Sequence, residues 1–212
     1  MTDVEDDAAL LHRRTLEFDA FDEGDDLLVI GRLRDRRPWA SDATALVHDM
    51  ELRVRVSRSD MTISRCDAVM HAFPHAECPA IVAAFAGLAG LGVTGGFTRS
   101  VAARVAGPNG CTHLDQLARA IGPVVVQAVS SRRARELQDG GTGDLPTGDA
   151  DAPWARNSCH VWADGGVAEQ KLAAGWRPGR GPTPAPPLEV VLAGARASEH
   201  ATADAFSNIE PE

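Results

Sequence analysis

In "ALVHDMELRVRVS" (45–57), Leu52, Val54 and Val56 alternate with Arg53 and Arg55. A period of two sends successive side chains to opposite faces of a pleated strand, so the segment reads as a strand with one apolar and one wet face. A strand buried on one side only belongs to an antiparallel sheet whose other side meets solvent. That sheet needs something to cover its apolar face. "LLVIGRLRD" (27–35) reads as a second such strand, and "MTISRCDAVMHAF", with Ile63, Val69 and Phe73, as a third, bulged near Cys66.

After Phe73 the period changes. Pro79 stands at a first helical position, with Ile81, Phe85 and Leu88 spaced along one face, and Phe97, Val101 and Val105 mark a shorter helix after "GVTGG". In "GPNGCTHLDQLARAIG" (107–122), Thr112 and Asp115 have capping-box spacing, and Leu114, Leu117, Ala118 and Ile121 form an apolar stripe. Pro123 is expected to end or kink that helix, with "VVVQAV" continuing as a second segment. The expectation is an α+β domain: a small antiparallel sheet of about three strands with three or four helices packed on one face. Residues 1–25 read as an acidic lead-in, 26–138 as the core, 139–156 as a loop or linker, 157–176 as a short strand and turn, and 177–212 as a disordered tail.

A net charge of −9 disfavours nucleic acid as a partner, since such affinity rests on basic surfaces that release counterions. The longest apolar runs fall short of the ~18–20 residues that span a bilayer, and the acidic start lacks the flanks of a secretory signal, so a cytoplasmic protein is expected. The 4 cysteines, at 66, 78, 111 and 159, form no C-x-x-C pair, and disulfides are not expected in a reducing compartment. No G-x-S-x-G elbow or phosphate loop is present, and no dinucleotide fingerprint follows a strand, since "GLGVTGG" follows a helix pattern instead.

Cys111 and Cys78 each stand just before a helix start, at the positive end of a helix dipole, where a thiolate is favoured. His113 lies two residues on; an offset of two turns a side chain by about 200° on a regular helix, away from Cys111. His48, followed by Asp49, heads a strand and is placed to add a ligand from the sheet edge. Cys159 and His160 are neighbours on a predicted strand, so one of them at most joins any site. Cys66 reads as strand core, and His71 and His75 as supporting partners.

Residues 10–165 resemble a family of bacterial domains of unknown function, through "HRR" at 12, "GRLRD" at 31, "HDMELRV" at 48, "PHAEC", "GCTHL" at 110 and "NSCHVW" at 157. By analogy the order of strand, hairpin, cysteine at a helix start and late cysteine at a second helix start also looks like that of the iron–sulfur cluster scaffold proteins. That likeness implies ligand roles for Cys78 and Cys111, with His48 and Asp49 where the scaffolds carry their first cysteine. A His/Asp/Cys/Cys set suits zinc or iron. The leading expectation is a metal-binding domain, with ligands His48, Asp49, Cys78 and Cys111, for sulfur or metal handling or metal-assisted chemistry on a small molecule. Its partners would be that molecule or a sulfur- or metal-donor protein. Two alternatives stand beside it: a metal-free thiol enzyme with Cys111 as nucleophile and His48 or His113 as base, and a non-catalytic partner protein whose cysteines only pack.

Overall fold

The computed structural model describes residues 8–141, 155–178 and 183–207. Four strands, β1 (Arg13–Glu23), β2 (Asp26–Arg36), β3 (Leu46–Ser57) and β4 (Ile63–Ala72), form one antiparallel sheet in the order β1-β2-β3-β4. Helices complete an α+β fold. The chain forms two compact units, Met1–Ala128 and Val129–Glu212.

In the first unit the period-two pattern is realised residue by residue. Leu27, Val29 and Leu33 of β2 and Met50, Leu52, Val54 and Val56 of β3 are buried on the inner face. Cys66, 2% exposed, lies opposite Val54 as strand core. The register between β3 and β4 breaks at Ser64 and His71 rather than at Cys66. Against this unit's core lie a 3-10 helix over Cys78–Leu88, burying Phe85 and Leu88, and α1 (Phe97–Val105), burying Phe97, Val101 and Val105. The 3-10 form replaces the α-helix expected there: buried Phe85, Leu88 and Leu91 follow each other at intervals of three, which is its period.

α2 (Thr112–Gln138) runs unbroken through Pro123 and buries Leu114, Leu117, Ala118, Ile121, Gly122 and Val125. Gly122 allows close packing, for a Cβ there would meet the Phe97 ring at 3.0 Å. The ring of Phe18 likewise covers Gly31, where a Cβ would lie 2.6 Å from it and 3.3 Å from Leu117.

Three segments depart from the sequence reading. The expected lead-in holds a full strand: β1 pairs with β2 along its whole length, closed by a two-residue loop of Gly24 and Asp25 with Gly24 at φ +78°, as primed hairpin turns require. β1 is exposed along almost its entire length, so its charged residues mask a strand pattern. In the second unit "NSCHVW" is a turn and a short 3-10 helix, His160–Trp162, rather than a strand, closed by Asn157 N–H donating to the Trp162 carbonyl at 2.8 Å. The expected tail contains α4 (Leu188–Ser207), which the proline-rich run before it precedes rather than prevents. Between these lies α3 (Val167–Ala173). Of the expected linker, residues 142–154 lie outside the described residues, as do 1–7, 179–182 and 208–212 of the ends. No helix among the described residues is long and apolar enough to cross a membrane.

Candidate functional site

The site grows from one row across the sheet. Arg14 of β1 stands opposite Asp35 of β2, and Asp35 opposite His48 of β3, all three on the inner face. Directly beyond this row the β2–β3 register shifts between Asp35 and Arg36, a bulge of the kind that re-aims side chains beside functional sites. An aspartate on the apolar face of a central strand is costly unless every lone pair is met. Here each is met, and Asp35 is 1% exposed.

Arg14 donates from Nε to Oδ1 at 2.7 Å and from its terminal nitrogen to Oδ2 at 2.6 Å, a two-pronged contact. His12 Nε2 lies 3.0 Å from Oδ1 and His48 Nδ1 2.9 Å from Oδ2. His113, from the first turn of α2, brings Nε2 to 3.5 Å from Oδ2. The rings of His48 and His113 pack with centroids 3.7 Å apart and planes 32° from parallel. Arg14 also donates to Gln116 Oε1 at 3.0 Å, tying the N-terminal part of α2 to β1.

Burial alone pushes the Asp35 carboxyl upward and is the largest single influence on it. The hydrogen bonds from Arg14, His12 and His48, with the charge of Arg14, together outweigh it and hold the group well below its ordinary value of 3.8. Asp35 is therefore an anion at neutral pH. His113 is shifted the other way from a simple ion pair: burial first, then the nearby His48 and Arg14, push it below its ordinary 6.5 against the pull of Asp35. Its imidazole is neutral at pH 7, with one bare nitrogen.

One of its ring nitrogens has a thiol beside it: Cys111 Sγ lies 3.7 Å from His113 Nδ1, within reach of a sulfur hydrogen bond. The offset of about 200° on a regular helix does not separate His113 from Cys111, because Cys111 precedes the helix. Its carbonyl accepts the first helical bond, from Asp115 N–H at 2.8 Å, which makes Cys111 the capping residue in place of Thr112. Asp115 pairs with Arg119 instead of closing the expected capping box. Gly110 fixes the approach, because a Cβ there would fall 1.7 Å from the Val105 carbonyl oxygen at the end of α1.

Among the residues singled out from sequence, the structure brings His48, Cys111 and His113 together. Asp49, one residue from His48, faces the opposite side of the sheet and pairs with Arg34 at 3.3 Å. Cys78 opens the 3-10 helix. The group of potential ligands found among the described residues, Asp35, His48 and His113, with ligand atoms all within 4.8 Å of one another, does not include it. Cys159 is exposed in the second unit. His71 approaches Glu51 at 3.9 Å on the outer face. Asp35, Arg14 and His12 join the site without having been expected there from sequence. A signal existed: Asp35 shares the parity of Leu27, Val29 and Leu33, so it lies on the inward face of its strand.

A family model described as a protein of unknown function (DUF2889) matches residues 12–127. The chain belongs to the DUF2889 family. The matched span begins at His12 and includes every residue of the cluster. No curated protein and no solved structure matches the chain.

Proposed function

We propose that this DUF2889 protein is a thiol-dependent enzyme acting on an electrophilic carbonyl carbon, with Cys111 as nucleophile, His113 as base and Asp35 as the carboxylate that orients the base. One observation carries the reading: His113 bridges a thiol and a buried carboxylate, with Nδ1 3.7 Å from Cys111 Sγ and Nε2 3.5 Å from Asp35 Oδ2. Thiol, imidazole and carboxylate in that order are the parts of nucleophilic acyl chemistry.

The thiol proton passes to His113 Nδ1, and the thiolate attacks the carbonyl carbon. The resulting oxyanion meets the N–H groups of the first turn of α2, which have no intrahelical acceptor. His113 returns its proton to the leaving group, a thioester remains on Cys111, and water activated by the same imidazole releases the acid. Asp35, kept ionised by Arg14, stabilises the imidazolium formed on the way.

The test is acetylation by p-nitrophenyl acetate at pH 7. The expected result is one acetyl group, mapped to Cys111, with a matching burst of nitrophenolate; Cys111→Ser abolishes it, and His113→Ala slows it by about 100-fold or more. Labelling of exposed Cys159 at the same rate as Cys111 overturns the proposal.

A second reading, a zinc or iron centre for metal handling or metal-assisted chemistry, draws on the Asp35, His48 and His113 group. Arg14 weighs against a permanently held ion there, since its guanidinium contacts both Asp35 oxygens and repels a cation.

A further inference from the structure

The bridging imidazole that serves the thiol also belongs to the group of Asp35, His48 and His113, whose ligand atoms lie within 4.8 Å of one another. Two nitrogens and one carboxylate oxygen are the three protein ligands of an open zinc site, with a water in the fourth position. The two roles demand opposite tautomers of one ring. As base for Cys111, His113 is bare at Nδ1 and carries its proton on Nε2, toward Asp35. As a metal ligand beside Asp35, it is bare at Nε2 and carries its proton on Nδ1, toward the thiol.

From this exclusion we infer that Zn²⁺ binds reversibly to Asp35, His48 and His113 and switches off Cys111 by taking its base. The inference deepens the thiol reading and rests on it. Asp35 supplies Oδ2, already 2.9 Å from His48 Nδ1 and 3.5 Å from His113 Nε2. To offer a bare nitrogen to the ion, His48 moves its proton from Nδ1 to Nε2 and His113 moves its proton from Nε2 to Nδ1, so two neutral rings bind with no net proton released. Cys111 keeps its thiol and is not a ligand. Arg14 remains on Asp35, and its charge is the reason the ion comes and goes instead of staying.

His48 helps to separate the two functions, being a ligand of the ion but neither the nucleophile nor the base of the thiol chemistry. Zinc binding is read by calorimetry on the full chain at pH 7, and Cys111 reactivity by iodoacetamide labelling with mass mapping, each with and without Zn²⁺. Wild type is expected to bind one ion, and its Cys111 labelling to slow by about tenfold or more when zinc is bound. Cys111→Ser is expected to bind zinc as wild type does. His48→Ala is expected to lose binding by at least about 30-fold, and its Cys111 labelling, referred to that variant's own zinc-free rate, to be indifferent to zinc; His48→Gln and a circular dichroism melt check that the fold is kept.

Loss of zinc binding in Cys111→Ser overturns the inference, because the thiol would then be a ligand. So does unchanged binding in both His48 variants, or bound zinc that leaves Cys111 labelling as fast as before. Failure of the thiol reading is visible separately: Cys111 then labels no faster than Cys159 even without zinc, whatever calorimetry shows.

Discussion

Two almost fully buried carboxylates lie on the two faces of the same sheet. Asp35, 1% exposed, faces inward; Glu51, 3% exposed, faces outward. Glu51 is gripped by Arg32 and Arg53, two permanent cations whose heads reach water, and its carboxyl is held below the ordinary range: burial raises it, and the two arginines more than compensate. Asp35 has one permanent cation, Arg14, and three imidazoles. Arginine cannot give up its proton in a protein, so the two groups that grip Glu51 are fixed, and its one nearby imidazole, His71, stands off at 3.9 Å. Imidazoles can exchange protons and tautomers near neutral pH, and one of them touches a thiol. Equal burial thus has different consequences, decided by whether the compensating groups are fixed or titratable.

Several substitutions sharpen this contrast. Asp35→Ala has the largest expected cost, about 3 kcal/mol in urea unfolding, because Arg14 and the largely buried His48 and His113 lose the anion they are packed against. Gly110→Ala follows at about 2–3 kcal/mol, since its methyl group collides with the backbone at Val105, and it moves Cys111 enough to lose the labelling advantage over Cys159. Glu51→Gln costs about 1 kcal/mol, because Arg32 and Arg53 can turn to solvent; a cost equal to that of Asp35→Ala would break the comparison. Asp49→Asn, on the outer face with half-exposed Arg34, changes stability by about 0.5 kcal/mol or less.

Acidification tests the same contrast by a different route. His113 has its pKa lowered on folding, so its contribution is present above its ordinary 6.5 and fades as pH falls below that value. Asp35 is also lowered, so its contribution is present above 3.8 and is lost at more acid pH. Stability is therefore expected to fall in two stages on acidification, with His113→Gln removing the first and leaving the second. Cys66 supplies an internal standard for labelling: burial pushes its thiol up to about 12, and it is expected to stay unlabelled at pH 7 while the protein is folded.

The alternation of Leu52, Val54 and Val56, the Phe97, Val101 and Val105 line and the Leu114, Leu117 and Ile121 stripe were legible because an apolar period records which face is buried, whatever lies opposite. β1 was not, since an edge strand exposed along its length leaves no apolar period to read, although Gly24 marked its turn. The cysteine and histidine of the α2 entry also stood out locally, where a thiol precedes a helix. Asp35, Arg14 and His12 did not, because their importance lies in pairing across strands 21 to 23 residues apart in sequence.

By itself, then, the chain determined three of its four strands, the main helical segments of the first unit and a thiol at a helix entry, all of which follow from neighbours along the backbone. Tertiary structure alone decided which charges meet. Cross-strand register set Arg14, Asp35 and His48 in one row and turned Asp49 away. The capping geometry of α2 then laid His113 between that row and Cys111, joining residues from three strands and a helix that share no local pattern.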